Sequence, residues 1–256
     1  MSGFLAFTKK EFVQLLRSGR LVLLLILCVL FGIMNPAIAK LTPWMMESMA
    51  GAMEESGLVI SAVEATVLSS WTQFFKNAPM AVIIFLLMFG GTMTVELQKG
   101  TLVNMVTKGL KRWKILGAKV FAAILSWSVF YWLMYGITYG YNVYFWKEEQ
   151  VYHAGFAAAG TYLVGLWLLV LVIFCSVFVK SGTAAVALGG VGFLLYYVLG
   201  MIPALKEYVP TYLMSMSGLL TKSCTPEDFY PAVGVTLVLA VIGAAVGTLG
   251  FNRKEL

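Results

Sequence analysis

Six stretches of this chain are apolar and uncharged over lengths that approach or exceed a bilayer crossing, and nothing else in the sequence restricts the fold as strongly. They lie at residues 21–39, 79–95, 120–141, 154–179, 183–202 and 232–251. A hydrocarbon core of ~30 Å takes about 20 helical residues to cross. Inside it each backbone N–H and C=O must be satisfied by the chain itself, which a helix does segment by segment. Composition agrees, because 60% of residues are hydrophobic and 12% charged. A soluble domain carries about a quarter charged residues. The expected fold is all-α: a polytopic membrane protein with six transmembrane helices, forming one domain over residues 1–256.

Charge is distributed unevenly over the connecting segments. With the N-terminus inside, the inner segments are 1–20, 96–119, 180–182 and 252–256. They hold thirteen of the eighteen Lys and Arg, and the outer segments hold nine of the twelve acids. Excess Lys and Arg mark cytoplasmic loops, so both termini are expected in the cytoplasm. Within residues 1–20, Phe4, Leu5, Phe12, Leu15 and Leu16 fall on one side of a helical wheel. Lys10, Gln14, Arg17 and Arg20 fall on the other. That pattern predicts a helix lying in the membrane interface, with Phe4, Phe12 and Leu16 toward the acyl chains and Arg17 toward anionic headgroups.

Residues 40–78 are too polar to span, and the helical periodicity of 59–71 predicts a helix resting on the outer face. Residues 203–230 are broken by Pro203, Pro210, Gly218 and Pro226. Two forms fit them, short broken helices dipping into the bilayer and a plain outer loop. Gly136-x-x-x-Gly140 and Gly243-x-x-x-Gly247 are small-residue pairs of the kind that let helices approach. Asn35-Pro36 is expected to bend the outer end of the first span. Trp127, Tyr131, Tyr135 and Tyr139 recur every four residues along the third span, where they either pack the bundle or line a path for an amphipathic substrate.

Several function classes lose support. No histidine lies inside a span, and His153 has no carboxylate or Cys at ligand spacing. Cys28, Cys175 and Cys224 have no metal or redox spacing. The chain is therefore read as neither an enzyme nor a metal protein. None of the six cores carries an ionisable residue, which argues against an ion-coupled transporter. No phosphate-binding loop of the G-x-x-x-x-G-K-[ST] type occurs either. Energy for any transport would have to arrive through a cytoplasmic contact.

Residues 96–114 are the natural place for that contact. Glu96, Lys99, Lys108, Lys111, Arg112 and Lys114 crowd into them. Thr101 suits an N-cap, Gly109 the position after a helix end, and Lys108 the C-terminal dipole. Leu102, Met105 and Val106 share one face at i, i+3, i+4. A two-turn helix is marginal alone, so that face needs a partner, which is either the bilayer or a groove in a cytoplasmic protein.

The run Glu96-x-x-Lys99-Gly100-Thr101-Leu102, then Lys108, Lys111-Arg112 and Gly117-x-Lys119, resembles the first cytoplasmic loop of ABC-2-type exporter permeases. The layout is similar over essentially the whole chain: an N-terminal elbow helix, six spans, a broken segment before span six, and an Arg-Lys-Glu-Leu tail. The resemblance implies the transmembrane half of an ATP-driven exporter in the plasma membrane of a bacterium. Such a half pairs with a second copy or a sister permease, and two separate ATPase subunits hold the ATP and Mg. This chain would bind no cofactor and no nucleic acid. By the same resemblance residues 101–108 are the coupling helix, Glu96 is the acid at the inner end of span two, and 203–230 is a re-entrant outer gate. The 40–78 segment has no matched counterpart. The cargo, whether drug, peptide or lipid-like, is left open. The alternative reading is a membrane scaffold or sensor subunit that docks an ATPase without moving cargo.

Overall fold

The computed structural model describes residues 3–54, 64–107, 109–147 and 151–254. The helices are α1 (Gly3–Arg17), α2 (Arg20–Glu54), α3 (Val67–Phe89), α4 (Thr92–Gln98), α5 (Thr101–Thr107), α6 (Arg112–Phe145), α7 (Ala154–Phe178), α8 (Gly182–Leu199) and α9 (Tyr230–Arg253). Three 3₁₀ helices, Lys206–Tyr208, Pro210–Thr221 and Pro226–Phe229, fill the interval between α8 and α9. The spans α2, α3 with its continuation α4, α6, α7, α8 and α9 are each long and apolar enough to cross a membrane. The chain is an all-α, multi-pass membrane protein.

Local chemistry sets where the spans begin and end, and three of them differ from the hydropathy reading: α2, α3, and α6, which runs from Arg112 to Phe145 where 120–141 is expected. Thr66 is extended, its Oγ1 accepts from the Ser69 amide at 3.2 Å, and Ser69 Oγ accepts from the Thr66 amide at 3.2 Å. This capping box satisfies orphan donors of a new helix and starts α3 at Val67, well before residue 79. The helix expected on the outer face at 59–71 is therefore corrected. Its last turn, from Val67 to Trp71, opens the second span with Trp71 buried, while residues 59–63 lie outside the described residues. Thr72, Gln73, Lys76 and Asn77 lower the local hydropathy and conceal this continuity. Likewise α2 runs on past Pro36 and Pro43 to Glu54, beyond the expected end at residue 39. At ~1.5 Å per residue it extends far past a ~30 Å core.

The spans pack around α6 and α7. α2, α3 and α1 lie against α6, while α9, α8 and the Pro210–Thr221 helix lie against α7. Close approach depends on missing Cβ atoms. A Cβ at Gly165 would collide with the Trp127 ring, and one at Gly247 with the Phe174 ring. Among the described residues a Cβ at Gly136, Gly140 or Gly243 meets nothing within 4 Å, so of the two Gly-x-x-x-Gly pairs only Gly247 serves this packing there. The outward faces of α8 and α9 are apolar, with Val191, Leu194, Val198, Val238 and Val241 exposed, as a lipid-facing surface requires.

The Pro210–Thr221 helix buries Leu213, Met216, Leu219 and Leu220. Met216 fills the notch of Gly160, and Thr211 Oγ1 donates to Tyr196 O at 3.2 Å. Gly160 lies six residues into α7, or about 9 Å along it. The segment thus descends beside α7 as short broken helices and is not a free loop. Replacing Gly247 with Leu should split the α7–α9 seam, at about 1–3 kcal/mol for overpacking. A lowered melting temperature in detergent, largely recovered by the Gly247→Leu/Phe174→Ala pair, is the expected outcome.

Candidate functional site

The basic end of the bundle is built from short pieces. α4 ends at Gln98 with Lys99 as its cap, the chain turns through Gly100 (φ +63°), α5 runs for seven residues, and Gly109 (φ +85°) turns it again. Both glycines adopt the left-handed conformation that a Cβ disfavours. The amides of Gly109 and Leu110 donate to Val106 O at 2.9 Å and Met105 O at 3.2 Å. Gly109 therefore ends α5 in a Schellman-type turn, as the sequence predicts. Thr101 is the first helical residue rather than the cap, and its Oγ1 donates to Glu96 O at 3.2 Å, tying α5 to the end of α4. Lys108 lies outside the described residues.

The apolar face of α5 has its partner within the same chain. Leu102 is 0% exposed, and Met105 and Val106 are half-buried against the same core. Of the two partners expected for this face, the bilayer and a groove in a cytoplasmic protein, neither is what covers Leu102, which packs into the chain's own bundle. A marginal helix is held first by the apolar surface nearest in the fold, and here that is the end of its own bundle. The face left outward is polar: Thr101, Asn104 and Thr107 are exposed, flanked by Lys99, Lys111 and the 51% exposed Trp113. Asn104, Thr107 and Trp113 were not singled out from sequence. The signal for Asn104 and Thr107 was their i+3, i+6 spacing from Thr101, opposite the apolar residues.

Behind α5 sits a buried ionic quartet. Lys119 Nζ lies 3.1 Å from both Glu11 oxygens and 2.9 Å from Glu96 Oε2. Lys10 Nζ lies 3.0 Å from Glu11 Oε1 and also bonds Glu96 Oε1. The Lys119–Glu96 approach is an ion-pair contact. Glu11, Glu96 and Lys119 are buried, and Phe7 lies beneath both ammonium groups at 4.8 and 5.7 Å. Two positive and two negative charges balance, which is the condition for burying ions at tolerable cost. Burial alone would lower the pKa of Lys10, but Glu96 and Glu11 outweigh it and hold it above its ordinary value. The quartet clamps α1, α4 and α6 together. Glu96 and Lys119 belong to the loop read from sequence. Glu11 was missed, although an acid in an otherwise basic N-terminal helix was the available signal.

The face that α1 presents also differs from the expectation that Phe4 and Phe12 turn to the acyl chains, since both pack against the bundle. Its buried stripe is Phe7, Thr8, Glu11 and Leu15, lying along α6, with Phe4 near Gly117 and Phe12 partly buried. Leu16 and Arg17 are exposed, Leu16 at the edge of a groove with Leu24 and Phe130. The turn after α5 is fastened too. Arg112 Nη1 donates to Phe251 O at 2.9 Å, to Asn252 O at 3.1 Å and to Lys254 O, gathering the carbonyls at the end of α9. Gln98 Nε2 donates to Lys180 O in the α7–α8 turn.

The four-residue aromatic stripe divides. Trp127 and Tyr131 are sealed in packing, with Trp127 Nε1 donating to Tyr162 O at 3.1 Å and Tyr131 OH to Ala158 O at 2.8 Å. Tyr135 packs on Trp71 at 5.0 Å between ring centroids, and Tyr139 is 53% exposed. A groove of about 400 Å³ lies elsewhere, walled by Pro79, Leu86, Thr161, Gly189 and Phe193 and roofed by Met214. Its walls come from α3, α7 and α8, so no single stretch of sequence announces it.

No family model matches the sequence, and no curated protein does. Removing the buried Lys119 cation should cost about 3–5 kcal/mol, because an uncompensated buried charge remains. Lys119→Met is expected to lose most folded protein on size exclusion, and Glu11→Gln/Lys119→Met, which restores neutrality, to recover a large part.

Proposed function

We propose that this chain is the transmembrane permease subunit of an ATP-driven exporter of the ABC-2 type, with the α5 end in the cytoplasm. The observation that carries the reading is the construction of that end. A two-turn helix is bracketed by two left-handed glycines and braced from behind by Leu102. It turns a polar, lysine-flanked face outward, and the ionic quartet joins its stem to α1 and α6. A rigid knob of this kind suits docking onto another protein better than lying on lipid, because its apolar side is already used. On this reading ATP hydrolysis belongs to the partner, in keeping with a sequence that offers no phosphate-binding loop. A push on α5 passes through Thr101 to α4 and through the quartet to α1 and α6. Arg112 and Gln98 carry it to the ends of α9, α7 and α8.

The groove between α3, α7 and α8 suits an apolar or amphipathic cargo, since its lining is almost wholly hydrocarbon. Trp127 and Tyr131 serve as packing behind it in this conformation.

The chain, tagged and extracted from its native membrane, is expected to carry an ATPase subunit with it. Asn104→Trp or Thr107→Trp should cut that association at least tenfold while leaving the melting temperature unchanged. Absence of an ATPase from the wild-type preparation, or full retention by both variants, would overturn the reading. If the ATPase binds but inverted vesicles show no ATP-driven movement of an amphipathic dye, the scaffold reading takes its place.

A further inference from the structure

Pro36 sits within α2 and has no amide hydrogen, so the carbonyl of Gly32 loses its ordinary helical partner. In a dry bundle an unpaired carbonyl is costly. The structure supplies a replacement from another helix: Thr138 Oγ1, on α6, donates to Gly32 O at 3.0 Å. The same hydroxyl accepts from Asn35 Nδ2 at 3.0 Å, and Asn35 Oδ1 accepts from Asn77 Nδ2 at 2.8 Å. Each donor in this relay meets an acceptor, running from α3 through α2 to α6 and ending on the freed carbonyl. Asn35 and Thr138 are both 0% exposed.

The surroundings suit a hinge. A Cβ at Gly32 would lie 2.8 Å from Ile137 Cβ, so α2 and α6 touch closely at this level. Pro79 lies two residues beyond Asn77 in α3, so both helices carry a proline beside the relay. Prolines are the usual sites of helix bending. Beyond the relay, α2 continues to Glu54, with Trp44, Met45 and Met49 exposed. A long lever therefore begins where the helix has lost a backbone bond.

We propose that Gly32, Asn35, Pro36, Asn77 and Thr138 form a latched hinge. Thr138 closes the backbone gap at Pro36, and release of that bond lets the distal half of α2 swing against α6. The inference is independent of the cargo and of the ATPase partner. It differs from a proline bend as such, because it assigns the latch to a hydroxyl on a neighbouring helix.

The test is a double-mutant cycle on the full chain in nanodiscs. Thr138→Val keeps the side-chain shape and removes the hydroxyl, Thr138→Ser keeps the hydroxyl, and Pro36→Ala restores an amide that can reach Gly32 O. Thr138→Val is expected to lower the melting temperature by roughly 2–8 °C, with Thr138→Ser close to wild type. In the Pro36→Ala background the same change should cost less than half as much, the remainder reflecting the acceptor lost to Asn35. Equal costs in both backgrounds would overturn the latch. If Thr138→Val alone does not fold, recovery of folding in Pro36→Ala/Thr138→Val supports the proposal and failure to recover sinks it. For the swing, nitroxides at residues 49 and 144 in a cysteine-free chain should give a broader distance distribution in Thr138→Val than in wild type. An unchanged distribution would rule the hinge out.

Discussion

A bilayer core offers no hydrogen bonds, so a polar group taken into the bundle is costly unless another group of the chain matches it. That demand explains why the interior contacts occur where they do. Trp127 and Tyr131 reach backbone carbonyls of α7. Ser70 Oγ donates to Asn142 Oδ1 at 2.6 Å, joining α3 to α6, and Thr138 covers the carbonyl freed by Pro36. At the basic end the same demand is met with charge, two ammonium groups against two carboxylates. Apolar contact alone gives membrane helices little preference for one neighbour over another, because lipid tails are equally apolar. The polar matches are what give α2, α3, α6 and α7 a particular arrangement.

Most of those matches run through α6. It holds Lys119 toward α1 and α4, Trp127 and Tyr131 toward α7, Thr138 toward α2 and Asn142 toward α3. Arg112, at its first turn, holds the end of α9. Under the proposed function this makes α6 the strut through which a displacement at α5 reaches the rest of the bundle. α8 and α9 have few such ties and present apolar faces outward.

Much of the fold was legible because a membrane span is a local property. Length, hydropathy and the absence of charge define it without reference to any other segment, and spans four to six came out within a few residues. The misplacements arose where tertiary contacts override hydropathy. α3 begins at Val67 because Thr66 and Ser69 cap it, and polar Gln73, Lys76 and Asn77 are tolerated near its start. α2 survives Pro36 because a hydroxyl from α6 takes the place of the lost bond. At the candidate site Glu96, Lys99, Gly100 and Thr101 were found as a stretch. Glu11 was not, because its meaning depends on Lys119, more than a hundred residues away in sequence.

By itself the sequence determined that the chain is helical, that it crosses the membrane several times, and that a short glycine-bracketed helix lies in its most basic connection. These are consequences of composition and of spacings within a few turns. Only the tertiary structure decided which way that helix faces. Periodicity shows that Leu102, Met105 and Val106 share a side, but not whether a partner or the chain's own bundle covers it. The bundle supplied the nearer apolar surface, and the polar face of Thr101, Asn104 and Thr107 was turned outward.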